Sequence, residues 1–163
     1  MPPVVVRQAG PADLEVIVPL FDGYRQFYGQ PSERDRVRGF LKERLAQGDS
    51  VLLIAEADGL ALGFTQLYPS FSSVSMARIF ILNDLFVRPE ARRSGVARLL
   101  LDAAVRHGRE AGAIRLSLST ALTNTAAQAL YAAAGWERDE VFCVYHFTVH
   151  QAPLTTSGNA EQV

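Results

Sequence analysis

The chain has 163 residues, 48% of them hydrophobic and 20% charged, with a formal net charge of -1. This is the length and balance of one ordinary soluble domain with a substantial core. The near-neutral charge argues against a general nucleic-acid or polyanion surface, and no window approaches the roughly 20 apolar residues of a membrane span.

The opening "MPPVVVRQAGPADL" has no signal-peptide layout. Cys143 is the only cysteine, so no disulfide forms within the chain, which fits a reducing compartment. The expectation is a cytoplasmic protein.

"PVVVRQA" is short, β-branched and followed by Gly10-Pro11, a strand and a turn. "PADLEVIVPLFDGYRQFYG" has helical spacing through Leu14, Ile17, Val18 and Phe21, with Pro19 expected to kink or split it. "SERDRVRGFLKERLAQGDS" reads as a second helix, with Ser32 as N-cap and Gly48 at its end. "VLLIAEADGLALGFTQLYP" reads as a hairpin turning at Asp58-Gly59. "SMARIFILNDLFVRP" is a long strand, followed by a helix from about Ser94 to Ala111. "AIRLSLSTA" is the next strand, and "NTAAQALYAAAGW" a helix capped by Asn124 and closed by Gly135. "RDEVFCVYHFTVH" is expected to be a terminal strand, with Cys143 in the core. Residues 1–150 are expected to form one domain. Residues 151–163 have little to bury and are expected to be disordered. The order β-α-α-β-β-β-α-β-α-β predicts an α/β fold of the α+β type, with a mixed sheet and helices on both faces.

Arg88 to Ala104, "RPEARRSGVARLLLDAA", places arginines and a glycine between a strand and an amphipathic helix. The first turn of a helix has unpaired N–H groups and a partial positive charge, so it can bind a phosphate. Gly95 lets the backbone approach such a ligand. Taken alone, the same turn also reads as a solvated basic loop. The chain has no G-x-x-x-x-G-K-[ST], and no G-x-G-x-x-G follows its first strand, which excludes a P-loop and a dinucleotide fingerprint.

"LNDLFVRPEARRSGVARLLLDAA" resembles the coenzyme A-binding segment of the GNAT superfamily of N-acetyltransferases: a strand, a [QR]-x-x-G-x-[GA] turn and a helix. Here the turn is Arg92, Arg93, Ser94, Gly95, Val96 and Ala97. "STALTNTAAQALYAAAGWE" resembles the family's next strand and helix, with Asn124, Tyr131 and Gly135-Trp136 in place. Arg93 and Ala97 stand where the family often has Gly. The resemblance spans roughly Val4 to Val149. It implies a mostly antiparallel sheet of six to seven strands, splayed by a β-bulge.

The resemblance also implies that acetyl-CoA is the donor. The pyrophosphate would lie on the N–H groups of Arg93 to Arg98, with Arg92 orienting the turn. The pantetheine arm would pair with the main chain of Leu85, Phe86 and Val87, in the manner of an added strand. Strict alternation would bury Asn83 among apolar residues, and a bulge near Asn83 removes that conflict. A main-chain N–H, that of Leu85, would stabilise the oxyanion. Tyr131 would protonate the leaving sulfur; its bland reading is a packed helix tyrosine. Asn124 would contact the arm, cap its helix, or do both. A lysine-like amine has a reference pKa of about 10.4 and must lose a proton before it attacks. Asp84 is the first candidate base and Glu56 the second; Asp84 also reads as a structural carboxylate at the bulge.

"LNDLFV" and "LYPSFSS" resemble the branch holding diamine, thialysine and yeast histone and polyamine acetyltransferases. Diamine enzymes commonly have Glu where this chain has Asn83, which counts against polyamine specificity. Tyr24, Phe27, Tyr28, Tyr68 and Phe71 are aromatics that either wall an amine pocket or pack in the core or a dimer contact. Asp22, Glu33 and Asp35 either favour a cationic acceptor or are solvated. Tyr28 and Asn83 are the expected substrate contacts. His146 and His150 lie roughly 13 Å apart on a strand, so a metal site is not expected.

These readings predict an acetyl-CoA-dependent transfer to a small-molecule primary amine. The alternatives are a protein lysine or N-terminus as acceptor, and a non-catalytic acyl-CoA sensor. The resemblance further implies a possible homodimer. No nucleic acid or membrane partner is expected.

Overall fold

Two near-continuous apolar runs, β2 (Val51–Ala57) and β3 (Leu60–Ser72), are joined by Asp58-Gly59. Both turn residues adopt left-handed φ, 48° and 75°, the geometry that a two-residue hairpin turn requires. Around this hairpin the computed structural model, which describes residues 2–150, places β1 (Val5–Gln8) and β4 (Ala77–Val87) as further antiparallel neighbours. The sheet runs β1-β2-β3-β4-β5. β5 (Leu116–Ser117) is parallel to β4 and meets it only at Phe80 and Ile81.

Apolar runs buried on both faces need a cover on both sides. Ile54 and Phe64 are cross-strand partners, and Phe64 meets Phe21 and Tyr24 of α1 (Leu14–Phe27). On the other pleat, Val6 and Leu53 lie with Ala103 and His107 of α3 (Val96–Glu110). α2 (Arg34–Gln47) packs against α1, and α4 (Thr125–Ala133) contributes Tyr131 to the core. The mixed sheet with helices on both faces is therefore as expected.

Between Gln66 and Leu67 of β3 the register slips: Gln66 opposes Asp84 and Leu67 opposes Leu82. Asn83 is the extra residue of the expected bulge. Close packing follows at Gly63, where a Cβ would stand 2.4 Å from the Phe86 carbonyl oxygen. Only glycine lets β3 and β4 approach this closely.

Several expectations need correction. The sheet has five strands among the described residues, not six to seven. The terminal segment 138–150 is no strand. It is exposed along its length, and Cys143 lies outside the core. Pro19 does not split its helix, since α1 continues to Phe27. Ser32 is not the N-cap of α2; that position is Glu33, while the Ser32 hydroxyl donates to Asp22. The expected disordered tail, 151–163, lies outside the described residues.

Candidate active site

The basic turn forms a cradle of donors. Arg93 and Gly95 both take left-handed φ, 60° and 84°, and such alternation turns successive N–H groups toward one concavity. The first backbone bond of the following helix is from Leu99 N–H to the Gly95 carbonyl. Among the described residues, the N–H groups of Arg93, Ser94, Gly95, Val96, Ala97 and Arg98 therefore have no backbone acceptor. Six consecutive unspent donors at an exposed helix head suit a diphosphate. A Cβ at Gly95 would meet nothing within 4 Å beyond its chain neighbours, so the space beside the turn is open.

Arg92 is tied down differently. Its Nε donates to the Val87 carbonyl at 3.0 Å. Its guanidinium lies 5.3 Å from the Phe27 ring and 5.7 Å from the Phe86 ring. One side chain thus joins the end of α1, the end of β4 and the turn. Gly23, Gln26 and Pro89 complete the cleft around it.

β4 pairs with β3 as far as Val87 but leaves β5 after Ile81. Leu85, Phe86 and Val87 therefore have no strand partner on the β5 side among the described residues, which leaves an edge to which an amide-bearing ligand can add as a strand.

Tyr131 is buried and packs on Trp136, ring centroids 6.4 Å apart. Burial pushes its hydroxyl up to about 12, and the nearby Tyr28 hydroxyl adds to the shift. Tyr28 is raised by its own burial and then by Asp84. One line of interaction thus runs from Tyr131 through Tyr28 to Asp84. Asn124 caps α4, accepting from Ala127 N–H at 3.2 Å.

Asp84 is only 2% exposed. Gln66 Nε2 donates to one of its oxygens at 2.5 Å and Asn83 Nδ2 to the other at 2.9 Å. Burial nevertheless outweighs these bonds and raises its pKa. Burial, then the Asp84 charge, also raises Tyr24 and Tyr68. The Tyr24 hydroxyl donates to the Asn83 carbonyl at 3.4 Å. Among the described residues no cation pairs with this carboxylate.

Other candidates lie elsewhere. Glu56 pairs with Arg7 at 2.9 Å on β1 and β2. Asp22 accepts from Ser32 and from Glu33 N–H, which fixes the start of α2. Glu33 pairs with Arg25, and Asp35 with Arg38. Phe71 sits near the far end of the β3–β4 hairpin under Arg78. Gln66 was not anticipated as a site residue. Its signal was a polar residue inside the apolar run "LALGFTQLYP".

A model of the acetyltransferase (GNAT) family matches residues 17–136. An uncharacterized N-acetyltransferase of Bacillus subtilis, YhfO, is 49% identical over 144 residues, covering 88% of this chain and 97% of that protein. The crystal structure of a probable acetyltransferase superposes with a TM-score of 0.87 at 42% identity, covering 91% of this chain and 99% of the other. An aminoglycoside N-acetyltransferase solved in complex with CoA superposes with a TM-score of 0.74 at 26% identity, covering 89% and 95%. The chain belongs to the acetyltransferase (GNAT) family, and it is an acetyl-CoA-dependent N-acetyltransferase.

Proposed function

We propose that this GNAT acetyltransferase moves an acetyl group directly from acetyl-CoA to a primary amine of a small molecule. The observation that carries this reading is Asp84: a buried carboxylate among three tyrosines, with no cation paired to it among the described residues. An ammonium group entering there supplies the missing charge, and the tyrosine rings add cation–π attraction. The similar solved structure is named as an aminoglycoside N-acetyltransferase, which supports an amine acceptor of small-molecule size.

Bound acetyl-CoA supplies the activated acyl thioester. The six N–H groups of Arg93 to Arg98 hold its diphosphate, and Arg92 keeps that turn against the end of β4. Leu85, Phe86 and Val87 bind the arm, with Leu85 N–H directed at the oxygen that becomes negative. Asp84 takes the proton of the ammonium. Its raised pKa makes it a stronger base than an exposed aspartate. Asn83 and Gln66 hold the carboxylate in place. Tyr131 faces the leaving sulfur. A phenol near 12 stays protonated at neutral pH and is a weaker acid than a thiol of about 8.5. Its role is therefore a hydrogen bond to the departing thiolate rather than full proton transfer. Tyr28 lines the acceptor side, between Asp84 and Tyr131. Residues 1–150 act as one catalytic domain.

The test is thiol release from acetyl-CoA against a panel of aminoglycosides, diamines, amino acids and a basic peptide. Release with small amines supports the reading. Release with the peptide alone assigns a protein acceptor. Tight acetyl-CoA binding with no release from any acceptor assigns a sensor.

A further inference from the structure

Gln66 is a fully buried polar residue in the middle of β3. Its Nε2 meets Asp84 Oδ2 at 2.5 Å, while its Oε1 is buried with no hydrogen-bond partner among the described residues. Both facts are unusual. An N–H···O bond spans about 2.7–3.2 Å and an O–H···O bond about 2.5–3.0 Å, so this contact has the length of a bond made by a hydroxyl. A buried carbonyl without a donor is destabilising. The two ends of an amide have nearly the same shape, and the bonds they make decide which end lies where.

Turning the Gln66 amide over resolves both facts, provided that Asp84 carries a proton. A neutral carboxyl group has one accepting end and one donating end. Asp84 Oδ1 accepts from Asn83 Nδ2 at 2.9 Å, which fits the carbonyl end. Oδ2 then fits the hydroxyl end and donates to Gln66 Oε1 across the short contact. The Tyr68 hydroxyl interacts with the same amide, and its oxygen is an acceptor for the turned Nε2. An ionised Asp84 fits the other orientation, in which Nε2–H donates to the carboxylate.

The surroundings favour the neutral form. Asp84 is 2% exposed, and its burial outweighs the bonds that would hold a charge. Tyr24 and Tyr28 of α1 and Tyr68 of β3 act on it, and burial raises the pKa of all three, so they bring no charge at neutral pH. Arg44 and Asp49 also act on Tyr68, but they pair with each other at 3.1 Å and offset one another.

We propose that Gln66 is a positioning residue whose amide turns over with the charge of Asp84: at rest it accepts the proton of a neutral carboxyl group, and it donates to the carboxylate once an ammonium group stands beside it. The inference rests on the reading of Asp84 as the base. An arriving ammonium favours the ionised form. The proton on Oδ2 passes to solvent, Gln66 presents Nε2–H, and the freed carboxylate takes a proton from the ammonium as its nitrogen attacks. Without an acceptor, no carboxylate is available to activate water against the thioester. The base stays covered until its substrate arrives.

The test is a pH titration of the isotope-labelled full chain, followed by nuclear magnetic resonance with no acceptor present. Asp84→Asn identifies the Asp84 carboxyl carbon. At neutral pH that carbon should have the shift of a protonated acid. As it ionises with rising pH, the Gln66 side-chain amide protons should move downfield with the same midpoint. In Gln66→Met the midpoint should rise by about one unit, because the carboxylate loses a stronger bond than the neutral acid does. A carboxylate shift at neutral pH overturns the proposal. So does a Gln66 amide that fails to follow Asp84, or a midpoint that Gln66→Met leaves in place. The unmodified chain decides the matter even where Gln66→Met does not fold. Thiol release separates this inference from the reading beneath it: coupled resonances with full turnover in Asp84→Asn would remove Asp84 as the base and leave the paired titration standing.

Discussion

Asp84 gives the site a cost in stability. Its pKa is raised in the folded state by burial, so the folded chain retains a proton that the unfolded chain gives up. Stability from this group is fully present below about pH 4, the reference value, and is lost as pH rises through the folded pKa. Asp84→Asn removes that loss. Gln66 Oε1 is buried without a hydrogen bond among the described residues, and a flipped Gln66 amide would accept from the new Asn. Thermal melts should show the variant more stable than wild type at neutral pH by a few degrees, with the gap closing toward pH 4. Turnover should fall by roughly 10²-fold, the usual loss for a general base. A variant that is both less stable and fully active would make Asp84 a purely structural carboxylate. Tyr131→Phe should likewise lower turnover, by about 10-fold or more, while calorimetry finds acetyl-CoA affinity nearly unchanged. Because the Tyr131 hydroxyl is raised to about 12, the alkaline fall of kcat below that pH should be the same in mutant and wild type. Both residues were legible as candidates from their motifs. What the chain order concealed was the company they keep. Gln66 and Tyr68 reach Asp84 across a strand pair, and pairings of that kind depend on register.

At the scale of elements, the turn before α3 carries the most testable geometry. Gly95 has φ of 84° with open space before it. Gly95→Ala should therefore cost about 1–2 kcal/mol through backbone strain alone and leave acetyl-CoA affinity within a few-fold, as read by melts and calorimetry. Gly95→Asp adds a negative charge to a cradle for anions, and its loss of affinity should exceed that of Gly95→Ala by at least about 10-fold. Equal affinities for the two variants would move the diphosphate elsewhere. This turn was readable because strand, glycine and helix are consecutive in the chain. The bulge at Asn83 was readable for a related reason: without it, alternation puts an amide among apolar side chains. The terminal strand was misread because its alternation is that of a paired strand, while it pairs with none of the five strands among the described residues. Periodicity reports which face seeks cover, not where the cover comes from. The strand count failed for the same reason, and Pro19 because α1 tolerates a missing donor while its apolar face remains packed on Phe64.

The molecule as a whole is a sheet completed on one side only. Along β1 to β4 both faces are covered, and the exposed apolar residues there are scattered. Past β5 the cover thins, and the longest uncovered apolar run follows from Val141. Hydrogen exchange should find the β2–β3–β4 amides slowest in the molecule. Full protection of Val141 to Val149 would contradict their exposure.

Gly63 also limits how this sheet can drift in evolution. A Cβ there would stand 2.4 Å from the Phe86 carbonyl oxygen, so any other residue forces β3 and β4 apart. Leu85, Phe86 and Val87 would move with β4, because they are held in register by that pairing. One absent methyl group thus keeps the spacing of a strand edge on the opposite side of β4.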